Sequence, residues 1–304
     1  MNTTKKRNLQ AKAAGGFITL RPTIKNKRAE VYYRRAVTAE IDRMLTAMIA
    51  EIKRAYETIP VQNAPLSPLE RLTRLRRIMS RLQRQYGDKL DKNVKKIINK
   101  YISQAANDMY LSTKKQFQGI YGDKLDPIGL HFNSRKYGQM LKIISQRNAL
   151  LIKASSTQLI TNVTNITFDG VTTGQSWHRV EKDLQKQFHI AEDRIERIAR
   201  DQTAKLNESL NEAAMRDAGV EYFEWMTAHD ERVSTGYGGH KHLDGKIFKW
   251  GDNAHYPIID TYGNRGVPAQ RVNCRCTAIP VILQKDYEAK QTSEGDWVIT
   301  KGRL

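Results

Sequence analysis

The sequence predicts an α+β protein, in which an elongated, mainly α-helical N-terminal region is followed by a small C-terminal α+β domain with a short antiparallel sheet. Two observations lead there. Apolar residues recur at spacings of three and four through most of the first two thirds of the chain, the signature of helices with one buried stripe. From Gly219 the pattern changes to short apolar runs rich in β-formers, separated by loops that carry Gly, Asp and Pro. A third observation, the distribution of charge, separates the two halves again. The 304 residues hold 51 Lys and Arg against 32 Asp and Glu, a formal +19; residues 1–150 hold 31 and 11 (+20), and residues 151–304 hold 20 and 21 (−1).

Taken in order, residues 1–28 are basic, polar and lightly apolar, and are expected to be a flexible arm ordered by a partner. A basic helical region spans 29–165. Its first helix, from Ala29 to about Ile59, buries Val37, Ile41, Leu45, Met48, Ile52 and Tyr56. "PVQNAPLSPLE" holds Pro60, Pro65 and Pro68 and makes a connection; Ser67, Pro68 and Glu70 then start the next helix with a cap, a first-turn proline and an acid at the positive end. In "ERLTRLRRIMSRLQRQYG" the residues Leu72, Leu75, Met79, Leu82 and Tyr86 alternate spacings of three and four, a seam that packs on another helix. Arg71, Arg74, Arg76, Arg77, Arg81 and Arg84 lie between them and make one flank strongly cationic.

A separate helix is expected from about Leu90 to Phe117, with Val94, Ile97, Tyr101, Ala105 and Met109 inward, then a break at "GIYGDKLDPIGLHF" and a helix from about Arg135 to Asn162. A second domain is expected over 166–285. "FDGVTTG" reads as a turn before a short helix, and "AEDRIERIARDQTAKLNESLNEAAMRDAG" as a long helix with Ile195, Ile198, Ala199, Leu206, Leu210 and Ala213 inward, ended by Gly219 in the left-handed conformation. "VEYFEWMTA", "KIFKW" and "RVNCRCTAIPVIL" read as strands; the tail 286–304 is polar, with "DWVIT" as a last strand.

The composition excludes some classes. No run of eighteen apolar residues exists, so no transmembrane helix is expected, and the basic start lacks the apolar segment of a secretory signal. Two cysteines do not build a disulfide framework, which suits a reducing cytosol. The localised positive field attracts polyanions, double-stranded DNA among them, or an acidic protein surface.

The two cysteines, Cys274 and Cys276, stand one residue apart. On a strand they point to the same face about 6.5–7 Å apart, too far for a disulfide without bending the backbone. Two thiolates reach one tetrahedral Zn²⁺ more readily, over bonds of about 2.3 Å. Further ligands are then His240 and His242 in "GGHKHLDG", with His229, Asp230 and His255 weaker candidates. The competing reading is buried core, since free cysteine often only fills space, and C-x-C with H-x-H is not an established zinc spacing. No cofactor is required by the sequence; Zn²⁺ is the one it admits.

An ordered set of residues carries a resemblance. The helix containing "IAR" ends in Ala218-Gly219-Val220; Trp225 follows, then "DERV" with Asp230 and Arg232, His240 five residues before Gly245, and Pro268 before Asn273-Cys274-Arg275-Cys276. These resemble the phage head morphogenesis domain, the Mu F-like minor capsid protein family of tailed bacteriophages, over roughly residues 150–285. The loop "STGYGG" departs from the pattern by its length. The resemblance implies a minor structural protein of the phage head that associates with portal, capsid and scaffold proteins, contacts packaged DNA and leaves with it at ejection. Its location would be the virion, and the host cytoplasm during assembly. Some proteins that carry this domain are fused to toxin enzymes such as ADP-ribosyltransferases; only about twenty residues follow the domain here.

The expected function is therefore non-enzymatic. Its rival is a metal-dependent nuclease or hydrolase built on Asp230, His240, His242 and the cysteines. "HKH" and "NCRC" lack the general-acid Glu and the spacing of zinc deaminases, and no P-loop, G-x-S-x-G or H-E-x-x-H is present.

Overall fold

Four long helices and six strands account for nearly all of the regular structure among the described residues, which in this computed structural model are 16–20, 26–58, 68–121 and 135–302. The helices are α1 (Lys27–Thr58), α2 (Pro68–Tyr121), α3 (Arg135–Thr172) and α4 (Trp177–Asp217). The strands are β1 (Phe17–Thr19), β2 (Tyr222–Met226), β3 (Ile247–Lys249), β4 (Thr277–Leu283), β5 (Tyr287–Gln291) and β6 (Trp297–Lys301). The α+β class read from the sequence is the class observed. The chain divides into two compact units: Lys27–Ser103 with Met140–Arg200, and Met1–Asn26 with Gln104–Gln139 and Asp201–Leu304.

The first of these units is a bundle of helical segments. The stripe expected on α1 is buried at every position: Val37, Ile41, Leu45, Met48, Ile52 and Tyr56. Leu75, Met79 and Leu82 of α2 are buried, and Leu72 and Tyr86 are half-buried at the ends of that seam. Tyr33 stacks on Tyr101 with ring centroids 4.6 Å apart. Polar contacts trim the seams: Asn93 donates to Glu40 at 3.0 Å, and Tyr86 Oη donates to Glu51 at 2.8 Å.

Several helix boundaries differ from expectation, each for a visible reason. Residues 68–121 form one helix of 54 residues where two were expected. Gly87 sits inside it, and its cost of about 1 kcal/mol is small beside two flanking buried seams. Downstream of Gly87, Val94, Tyr101, Ala105 and Met109 are buried as expected, and Ile98 is buried where Ile97 was expected. The turn expected at "FDGVTTG" is helical through Thr172, and the chain turns at 173–176 instead. Gly170 lies in the last turn of α3 because α4 passes close by. A β-carbon there would collide with Val180 Cγ2 and lie 3.3 Å from Tyr56 Oη. The short and long helices expected after it are one, α4, of 41 residues.

Helix α4 ends as expected. Gly219 has φ +75°, its N–H donates to the Arg216 carbonyl at 3.1 Å, and Val220 N–H reaches back to the Met215 carbonyl at 2.9 Å. This releases the chain into β2, the centre of a sheet of order β1-β4-β2-β3-β6-β5, with every neighbouring pair antiparallel. Strand β4 is shorter than the expected "RVNCRCTAIPVIL": it begins at Thr277, because the preceding residues turn. Within the expected arm 1–28, Phe17–Thr19 pairs with Val281–Leu283 as an edge strand; residues 1–15 and 21–25, and Ser67, lie outside the described residues. Within the expected tail, β5 and β6 form a hairpin. One face of the sheet closes on a core of Phe223, Trp225, Phe248, Trp250, Tyr256 and Cys276 with neighbouring aliphatics. No described helix is long and apolar enough to cross a membrane.

Candidate functional site: a clasp between a loop and the Cys-x-Cys segment

The site is built where the chain leaves β2 and where it enters β4. After Met226 the loop is anchored at both ends by Asp244. Thr227 donates its N–H and its hydroxyl to Asp244 Oδ1 at 2.7 and 2.8 Å, and His229 Nε2 lies 2.9 Å from both carboxylate oxygens. Burial acts to raise the Asp244 carboxyl, but these donors outweigh it and hold its pKa below the usual carboxylate range. Gly245, with φ +77°, donates its N–H to the Trp225 carbonyl at 2.8 Å and turns the chain back into β3.

Between these anchors lie Asp230, Arg232 and His240. Asp230 receives the Arg275 guanidinium in a two-pronged contact, one bond being Nη2 to Oδ1 at 2.6 Å. It also accepts the Arg232 N–H at 3.1 Å, while the Arg232 guanidinium stands 3.5 Å away. Arg275 is the main reason that the Asp230 carboxyl is held down to about 2. The fork geometry is the strong form of such a pair.

His240 is set by backbone geometry. Its N–H donates to the Ser234 carbonyl at 2.9 Å, and it leads into a 3-10 turn over Lys241–Leu243. The ring is buried edge-on against Trp225, with centroids 5.3 Å apart. Its Nε2 lies 3.0 Å from the Ile259 carbonyl oxygen. A carbonyl only accepts, so Nε2 carries a proton and Nδ1 faces the other way. There it meets Cys274 Sγ at 3.5 Å and Cys276 Sγ at 3.4 Å.

The segment that brings the sulfurs there is held by its backbone. Asn273 adopts φ +60°, which Asn tolerates better than most residues, and its N–H donates to Asp201 Oδ1 at 2.9 Å. Cys274 N–H closes on the Arg271 carbonyl at 3.1 Å. Past that turn the chain is extended, so Cys274 and Cys276 face His240 while Arg275 points to Asp230. Ala278 then docks on α4, donating to Glu208 Oε2 at 3.3 Å and accepting from Asn211 Nδ2 at 3.0 Å. Neither cysteine is in a disulfide. A hydrogen bond with Cys276 is the first cause that lowers the Cys274 pKa; the partnership with His240 adds to it against the opposing effect of burial. Burial acts to lower the His240 pKa, but the Cys274 contact and the Ile259 carbonyl raise it on balance.

The structure thus joins Asp230 and Arg232 to Arg275 and His240 to Cys274 and Cys276, while Gly245 turns the chain at Trp225 and Asn273 is held by Asp201. His242 is not among the residues whose donor atoms converge with the sulfurs, a set that among the described residues is His240, Cys274 and Cys276. His255 pairs instead with Asp252, its Nδ1 2.7 Å from the carboxylate. Asp201, Asp244 and Ile259 also take part, through contacts distant in sequence. The "LDG" turn is the one local signal that points to Asp244, while the carbonyl of Ile259 has none. The arginines lie elsewhere, in the helical unit: Arg74, Arg76, Arg77, Arg81 and Arg84 are all exposed, and Arg81 reaches Glu51 at 3.0 Å. The side chain of Arg71 lies outside the described residues.

Residues 161–279, which contain the clasp, match the family described as Phage Mu protein F like protein. This segment is a Mu F-like phage head morphogenesis domain. Among curated proteins the chain is similar to an uncharacterized protein of Haemophilus influenzae, 26% identical over 280 residues, covering 90% of this chain and 57% of that protein. It is also similar to the NAD(+)--arginine ADP-ribosyltransferase EFV of Enterococcus faecalis, 27% identical over 149 residues, covering 45% of this chain and 30% of that protein. The chain therefore spans little more than half the length of the first relative and under a third of the second. No solved structure matches the chain.

Proposed function

We propose that this protein is a minor structural component of a tailed-phage head, acting in capsid or procapsid assembly through the portal or the capsid interior. The observation that carries this reading is the match of residues 161–279 to the Mu F-like family, and within it residues 230–276 form a clasp between elements of the fold. Asp230, the residue a hydrolase would use as base or metal ligand, is committed to Arg275, and its low pKa makes it a poor proton acceptor. The protein acts as a binding module and not as an enzyme. The rival reading as a metal-dependent nuclease or hydrolase rests on the His240, Cys274 and Cys276 grouping; DNA or ester cleavage by the purified chain would establish it. The activity named for the Enterococcus faecalis relative stays with that protein.

The exposed arginines of α2 supply the second part of the function. Arg74, Arg77, Arg81 and Arg84 follow each other at spacings of three, four and three, so they lie along one side of the helix over about 15 Å. Such a row suits phosphates of packaged double-stranded DNA or an acidic portal or scaffold surface. The protein would reside in the virion, reach it from the host cytoplasm during assembly, and leave with the DNA at ejection. The experiment is co-sedimentation with procapsids and isolated portal at high salt, with the full chain. Retention at high salt supports a head protein; complete release, with binding to free DNA only at low salt, would replace this reading with that of a DNA binder.

A further inference from the structure

We propose that His240 Nδ1, Cys274 Sγ and Cys276 Sγ are three protein ligands of a single Zn²⁺, whose fourth coordination place is left to water. The three donor atoms lie within 4.8 Å of one another. A tetrahedral ion with Zn–S of about 2.3 Å and Zn–N of about 2.0–2.1 Å has N···S edges of about 3.5 Å. The observed edges from Nδ1 are 3.5 Å to Cys274 and 3.4 Å to Cys276. The ring is also oriented as a ligand. Its Nε2–H is taken by the Ile259 carbonyl, which leaves the Nδ1 lone pair directed at the sulfurs, the outer-shell arrangement typical of metal-bound histidine.

The surroundings favour the ion over a buried dithiol that merely fills space. Two thiolates and one Zn²⁺ sum to no net charge, which a largely buried site tolerates. Asp230, the carboxylate that the rival reading adds to these residues, is held by Arg275 and is not in the converging set. Trp225 and the Asn273 turn restrain both sides of the site, and Cys274 is only partly buried, so an ion has a route in. The ion would join the loop that follows β2 to the segment that precedes β4. This inference stands apart from the head-assembly reading, since a hydrolase would also bind a metal here.

The test uses the full chain, purified under reducing conditions, stripped with a chelator and reloaded with Zn²⁺ or Co²⁺. The proposal expects one equivalent of Zn²⁺ per chain to survive desalting. It expects the Co²⁺ form to show thiolate-to-cobalt charge-transfer absorption and d–d bands of tetrahedral intensity. Cys274→Ser/Cys276→Ser should abolish the charge-transfer band, His240→Gln should lower metal affinity about 10-fold or more, and His242→Gln should leave both unchanged. Wild-type protein that retains no more metal than the double-serine variant overturns the proposal, whether or not the variants fold well. So does loss of metal on His242→Gln.

Discussion

Trp225→Ala is the perturbation that most directly probes how the clasp is supported. The Trp225 side chain is fully buried, stands edge-on to His240 at 5.3 Å and to Phe248 at 6.1 Å, and belongs to the core beneath Cys276. Truncating a buried tryptophan costs about 3–5 kcal/mol, because the transfer energy is lost and a cavity remains. At about 1.4 kcal/mol per factor of ten, the opening equilibrium of this unit should rise about 10²–10⁴-fold. The chain has two cysteines, both at the clasp and both in the same unit, and Cys276 is the buried one, so alkylation of Cys276 reads that opening. With chelator present and opening faster than alkylation, the rate at buried Cys276 should rise by the same factor. A rise of less than about fivefold, under 1 kcal/mol on this scale, would refute the placement of Trp225 as the wall behind His240.

Two helix glycines should respond with opposite signs. Gly87→Ala should stabilise the protein by about 0.5–1 kcal/mol, because nothing lies within 4 Å of the new methyl group. Gly170→Ala gains the same propensity but collides with Val180, a strain of about 1–3 kcal/mol, so denaturant unfolding should show it less stable than wild type. The Asp230 carboxyl has its folded pKa lowered from 3.8 to about 2, so its contribution is fully present above 3.8 and is lost as pH falls through about 2. Asp230→Asn should therefore melt lower than wild type at neutral pH, and the difference should close across that acid window. Replacing Arg74, Arg77, Arg81 and Arg84 by Gln should leave the circular dichroism and melting of the helical unit nearly unchanged. It should also cut the salt dependence of DNA or acidic-partner binding, by about 0.9 in the log–log slope for each phosphate that an arginine no longer neutralises.

How much of this is legible in the sequence depends on how local the cause is. The stripe of α1 and the Leu75–Met79–Leu82 seam are set by helical period, and all their residues are buried as expected. The end of α4 at Gly219 is likewise local. Gly87 and Gly170 read as breaks because glycine costs helix stability; what overrides that is packing against other helices, Val180 of α4 and Tyr56 of α1 in the case of Gly170. Strand β1 is hidden because Phe17 pairs with Leu283, and β5 because its residues Glu288, Lys290 and Gln291 are exposed and polar. In the clasp, the i, i+2 spacing of the cysteines foretells a shared face and the opposite placement of Arg275. It cannot foretell that His240 and not His242 meets the sulfurs, which depends on the 3-10 turn and on the carbonyl of Ile259.

The most direct test of the clasp as a structural element of head assembly is a charge swap across the Asp230–Arg275 pair, read as the yield of DNA-filled heads in a complementation assay. Asp230→Arg and Arg275→Asp alone should each reduce that yield, and the two together should restore much of it, because the pairing needs opposite charges and not a given residue at either place. A double variant as defective as either single one would contradict the account and return Asp230 to the role of a chemically active group.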